Sequence, residues 1–149
     1  MNYKEFLESK IELATESGFI VDPTDINPAL KPHQRDAVRW ALKGGRRALF
    51  ESFGLGKTIQ EIEFCYQAVK HCGGRALIVL PLGVKQEFTR DAVEILGYDK
   101  PEYCRTMEEV EKCRSRIVLT NYERVRDGDI RPEYFTATSL DEASVLRSF

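Results

Sequence analysis

Arg75-Ala76-Leu77-Ile78-Val79-Leu80 is a nearly unbroken apolar run, cut off by Pro81-Leu82-Gly83. A strand with one wet face alternates apolar and polar side chains. A strand without that alternation is covered on both faces, as happens inside a parallel sheet. Residues 47–51, Arg116 to Thr120 and Tyr134 to Leu140 have the same character, and a short strand is expected around Tyr103-Cys104-Arg105. Helical patterns fall between them. One runs His33 to Lys43, with Pro32 well placed as its first residue and Gly44-Gly45 as its stop. Another covers 57–71 and ends at Gly73-Gly74, and a third runs Val84 to Leu96 and closes at Gly97. Thr106 caps a polar helix, with Glu109 as its capping-box partner. Strand and helix in turn predict an α/β fold, a parallel sheet with helices on both faces. Upstream, Phe6, Ile11, Leu13 and Ala14 suggest an amphipathic helix over 3–16, and Phe19 to Pro32 reads as an ordered connection. The expected division is therefore a helix and loop over 1–27 and one α/β lobe over 28–149.

The segment between the first strand and its helix carries chemistry. It reads Glu51-Ser52-Phe53-Gly54-Leu55-Gly56-Lys57-Thr58-Ile59. Gly54 and Gly56 let backbone N–H groups approach phosphate oxygens. Lys57 supplies a point charge for the β- and γ-phosphates, and Thr58 a hydroxyl for Mg²⁺. The helix that follows aims its unsatisfied N–H groups at the same place. Glu51 stands where the usual pattern opens with glycine.

A second motif, Leu140-Asp141-Glu142-Ala143-Ser144, follows the last apolar strand. A carboxylate at a strand end, across from a phosphate loop, can hold Mg²⁺ through water, and its neighbour can orient or deprotonate an attacking water. Alone, such an acidic pair is usually a solvated turn. In open parallel sheets ligands sit outside the carboxyl ends of the strands. The glycine loop, Pro81-Leu82-Gly83, Thr120-Asn121-Tyr122 and Asp141-Glu142 all follow strands, so all four are expected along one sheet edge.

Composition narrows the partners. The chain has 149 residues, 42% hydrophobic and 31% charged, with a net charge of −2, so it does not coat nucleic acid by bulk charge and any such contact needs a local patch. Cys65, Cys72, Cys104 and Cys113 form no C-x-x-C pair and read as reduced thiols, with Cys65 facing the core. The N-terminus has no secretory h-region, and no apolar run approaches the ~20 residues of a membrane span, so a soluble cytoplasmic protein is expected.

Taken in order, Leu30-Lys31-Pro32-His33-Gln34-Arg35-Asp36-Ala37-Val38-Arg39-Trp40-Ala41-Leu42, Phe53 to Gln60, Ala76 to Leu82 and Leu140 to Ser144 resemble the first, RecA-like motor domain of a superfamily 2 helicase. The chain is most similar to Swi/Snf-type DNA translocases and to DEAD/DEAH-type helicases of phages and prophages. The resemblance implies ATP and Mg²⁺ as cofactors and DNA as partner. It implies that Gln34 reads the adenine edge and that Gly54, Leu55, Gly56, Lys57, Thr58 and Ile59 hold the phosphates. Thr58 and Asp141 would hold Mg²⁺, with Lys57, Asp141 and Glu142 as catalytic residues and Glu142 as the base. Pro81, Leu82, Gly83 and Lys85, then Thr120, Asn121 and Tyr122, match its strand-contacting motifs. Ser144 stands where the family more often has histidine or aspartate.

The sequence ends at Phe149, and no second lobe follows Ser144 in it. The arginine that reaches the γ-phosphate from such a lobe contributes about 10³–10⁵ in rate. The expectation is therefore an ATP-binding lobe that hydrolyses efficiently only with a C-terminal partner lobe, or a non-catalytic interaction module that uses the same fold on a host protein or a complete helicase.

Overall fold

The computed structural model describes residues 18–44, 47–50 and 57–141, with the strand at 47–50 described by its backbone. The helix expected over 3–16 lies outside the described residues. Five strands form one parallel sheet: β1 (Arg47–Phe50), β2 (Ala76–Val79), β3 (Glu102–Tyr103), β4 (Ile117–Thr120) and β5 (Ala137–Asp141). Their order is β1-β5-β2-β4-β3. Among the described residues five α-helices accompany them: α1 (Pro32–Gly44), α2 (Lys57–Cys72), α3 (Lys85–Arg90), α4 (Met107–Lys112) and α5 (Tyr122–Arg126).

The order explains the two-sided burial. The chain steps one way across the sheet from β1 to β2 to β3, then back through β4 to β5. Right-handed crossovers place the helices of the outward steps on one face and those of the return on the other. Packing follows this rule. Ile62, Cys65 and Val69 of α2 and Phe88 of α3 share a core with Ile78, Leu119 and Ala137. Val110 of α4 and Val125 of α5 share a second core with Leu77, Val79, Val118 and Leu140. Every residue of β2, β4 and β5 is buried, as the missing alternation requires.

Two expected elements change shape. The helix expected over 84–96 is three pieces: a 3₁₀ turn at Leu82–Val84, then α3, then a π segment at Asp91–Ile95. Phe88, Ala92 and Leu96 are all buried and recur every fourth residue. An α-helix of 3.6 residues per turn would rotate that series off the core, and the wider π turn, with Leu96 N–H donating to Asp91 O, keeps Leu96 inside. The strand expected over 134–140 begins only at Ala137, because Pro132–Tyr134 is a 3₁₀ turn. α5 is a helix that the pattern reading left out.

The connection before α1 is ordered, and it belongs to the same body. Val21, Ile26 and Leu30 join the first core, so a division at residue 27 would cut through packed side chains. Glu63 of α2 anchors it. Its carboxylate accepts from Asn27 N–H at 2.9 Å, from the Gln67 amide at 2.8 Å and from the Tyr98 hydroxyl. Arg39 Nε donates to Val21 O at 2.8 Å. Gly18 lies so close to the end of α1 that an added Cβ would sit 2.1 Å from Lys43 O. At the far end of α2, Gly73 and Gly74 hold φ of 77° and 74°, the left-handed geometry that stops a helix.

The expected capping of α4 is present in altered form. Glu109 N–H donates to Thr106 Oγ1 at 3.2 Å, while the Glu109 carboxylate accepts from Arg105 N–H at 2.7 Å, one residue before the cap. Cys65, Cys104 and Cys113 are buried free thiols and Cys72 is exposed. Burial, reinforced by neighbouring Cys113, pushes the Cys104 thiol up to about 12, which keeps it un-ionised and inert. No described helix is long and apolar enough to cross a membrane.

Core and surface should separate cleanly in unfolding experiments. Ile78→Ala, inside the sheet at 0% exposure, should cost about 2–5 kcal/mol in urea denaturation. Trp40→Ala, at 79% exposure on α1, should change stability by less than about 0.5 kcal/mol.

Candidate functional site

The register of the sheet sets the site. β1 and β5 run side by side, with Phe50 opposite Asp141, so both strands end level at the carboxyl edge. Lys57 opens α2, seven residues further along the chain. Its Nζ lies 2.5 Å from Asp141 Oδ1, and their side chains are 16% and 4% exposed. Two residues 84 positions apart thus meet as a largely buried ion pair at the start of a 16-residue helix. The first amides of such a helix have no partner within it, and its dipole favours negative charge there.

Beneath this pair sits Glu61, one turn into α2 and fully buried. Ser139 Oγ donates to Glu61 Oε1 at 3.0 Å, and Oε2 has no hydrogen-bond partner among the described residues. Ser139 and Asp141 are two apart on β5, so both side chains point to the α2 face of the sheet. Burial raises the Glu61 carboxyl well above its ordinary value, and the Asp141 charge raises it further, against the opposing pull of Lys57 and Ser139. Pattern reading missed Glu61, because one acidic residue on a helix normally signals a solvated face. What betrays it is position: i+4 from Lys57 on the stripe that also holds Cys65 and Ala68.

Gln34 is 5% exposed, and its Oε1 accepts from Lys31 N–H at 2.8 Å, fixing the amide at the first turn of α1. Thr58 is half-buried and Ile59 buried. Gly54, Leu55, Gly56 and Glu142 lie outside the described residues.

The residues expected to touch a nucleic-acid strand separate into two groups. Leu82 and Gly83 are exposed, and Lys85 is half-buried with its Nζ 4.8 Å from the centre of the Tyr103 ring. Pro81, Thr120 and Asn121 are buried. The Thr120 hydroxyl, expected at the edge, instead donates to Cys104 O at 2.9 Å across the sheet, because its position on β4 turns it inward. Asn121 accepts from the Tyr103 hydroxyl at 2.5 Å and donates to Glu123 at 2.7 Å. Tyr122 is half-buried against the second core, with the Arg126 guanidinium 6.0 Å from its ring centre. Tyr103, absent from the expected site, therefore joins the loop after β2 to the loop after β4. These loops lead to opposite faces, the arrangement that opens a crevice between neighbouring parallel strands.

Compared with protein-family models, the chain matches none. The geometry alone offers a cation and a carboxylate at a helix N-terminus on the carboxyl edge, with Gln34 held on α1, which packs against α2. Among the described residues no group of three or more His, Cys, Asp or Glu is gathered as a metal cluster.

Glu61 gives a pH signature. The folded chain keeps its proton where the unfolded chain, with an ordinary value of 4.5, has lost it, so rising pH favours unfolding through this residue. Glu61→Gln removes that titration. In urea melts from about pH 5 to pH 8, the variant should gain stability relative to the parent as pH rises, and a constant difference would contradict the buried, protonated carboxyl.

Proposed function

We propose that the chain is the ATP-binding lobe of a superfamily 2 nucleic-acid motor, a translocase or helicase acting on DNA. The observation that carries this reading is the Lys57–Asp141 pair at the level ends of β1 and β5. An ammonium beside a carboxylate, with a hydroxyl next in sequence, fits a magnesium nucleotide. Mg²⁺ keeps most of its waters and takes one or two carboxylates plus phosphate oxygens, so a single Asp141 with Thr58 is a sufficient protein share. The motif order from Leu30 to Ser144 supports the same reading.

In this proposal Lys57 would turn from Asp141 toward the β- and γ-phosphates, and Gly54 and Gly56 would let backbone amides reach them. Asp141 and Thr58 would hold the ion, Gln34 would present its amide to the adenine edge, and Glu142 would take the proton of the attacking water. Bound Mg·ATP supplies the phosphoanhydride whose hydrolysis drives movement. A second lobe contributes the arginine that accelerates that step and closes the groove in which DNA lies.

Two measurements test it. At 100 times its Kd, Mg·ATP should stabilise the chain by about 2.7 kcal/mol, and Lys57→Ala should abolish that ligand-induced shift, whatever its own effect on the melt. Indifference of the parent chain to Mg·ATP would defeat the proposal. Gln34→Ala should bring Mg·GTP and Mg·ATP to similar stabilisation, whereas the parent should respond chiefly to ATP; unchanged selectivity would remove Gln34 from the base site.

A further inference from the structure

Along the outer flank of the sheet, between α3 and the edge strand β3, runs a cleft of about 480 Å³. Lys85, Arg90 and Lys100 line it, with Gln86 and Tyr103, and the one carboxylate among its lining residues is Glu102. We propose that this cleft binds the phosphodiester backbone of a single nucleic-acid strand, carrying it from the carboxyl edge down the flank beside β3. The proposal rests on the nucleic-acid reading above and extends it from Lys85, which a strand motif includes, to Arg90, Lys100 and Tyr103, which none includes.

Three observations point to a phosphate chain. The first is charge. The protein as a whole is at −2, yet three cations converge on this cleft. Among the described residues, no carboxylate lies within salt-bridge distance of Lys85 or Lys100, and Arg90 leans on Asp91 only at 3.4 Å from an exposed side chain. A solvated helix face normally intersperses its charges as pairs, as Glu108 and Lys112 do on α4 at 2.9 Å. The second is preorganisation. The Tyr103 ring holds the Lys85 ammonium, and its hydroxyl is fixed on Asn121, so the cation nearest the edge is already ordered. The third is placement. Lys85 follows the loop after β2 at the carboxyl edge, and Lys100 precedes β3 at the opposite end of that strand. Cations at both ends and Arg90 on the wall make a track, which suits a chain of phosphates better than a single anion.

The test uses the whole chain and a short fluorescein-labelled oligothymidine, read by fluorescence anisotropy across a salt series. The double variant Arg90→Glu/Lys100→Glu should weaken binding about tenfold or more, and should lower the slope of log K against log salt by about 1.4, the loss of two single-strand phosphate contacts. Lys43→Glu/Lys70→Glu, an equal charge change at two exposed positions on α1 and α2 that do not line the cleft, should leave affinity within about twofold. Lys85→Ala should weaken binding in the parent but not in a Tyr103→Leu background, where the ring that orders Lys85 is gone. The proposal is overturned if the parent does not bind the oligonucleotide, if both double variants weaken it equally, or if polyglutamate competes as well as unlabelled oligothymidine. Mg·ATP melts on the same samples keep the two readings apart. An ATP shift with no effect of the cleft variants sinks the cleft alone. Cleft-dependent binding with no ATP shift supports the cleft and sinks the motor.

Discussion

Asp141 is nearly buried, and a buried carboxylate needs a compensating charge or several hydrogen-bond donors. Lys57 supplies that charge from the start of α2. Much else follows from this one contact. It requires β5 to lie next to β1, in the register that sets Phe50 against Asp141. It therefore requires the chain to cross past β5's place on its outward path and return to fill it, which puts helices on both faces. The same contact gives the edge an ammonium and a carboxylate held together, the pair on which the proposed magnesium-nucleotide site rests.

Two buried glutamates on α2 do different work. Glu63 is raised by burial but accepts from three donors, and one of them, Asn27 N–H, ties the connection at 19–31 to α2. Through that connection α1, and with it Gln34, is held against α2. Among the described residues Glu61 has one donor and one oxygen without a partner, beneath the Lys57–Asp141 pair. A neutral acid there avoids setting a second negative charge beside Asp141, which would compete for the single lysine. The fold thus keeps a protonated carboxyl directly below the edge.

Much of the fold was legible in the residues. Unbroken apolar runs such as Ala76–Leu80 and Ile117–Thr120 predict strands covered on both faces, and the glycine pair at 73–74 predicts the stop of α2. Lys57 after the glycine-containing segment and Asp141 at a strand end could each be named from local pattern. Elsewhere local pattern misled. Val84 to Leu96 reads as one helix because its apolar spacing is close to helical, yet three pieces are needed to keep Phe88, Ala92 and Leu96 on one side. Thr120 reads as an edge hydroxyl because it ends a strand. Its side chain faces the neighbouring carbonyl instead, since the next strand lies within hydrogen-bonding reach.

The sequence by itself determined the alternation of strand and helix, the sheet's burial on both faces, and the residue types available at the carboxyl edge, because backbone geometry and hydrophobic period act over a few neighbours. Only the tertiary structure decided which strand lies beside which. That choice brings Lys57 to Asp141 across 84 positions, places Glu61 beneath them, and makes Tyr103 the link between Lys85 and Asn121. Such meetings depend on the order and register of strands distant in the chain, and no local period encodes them.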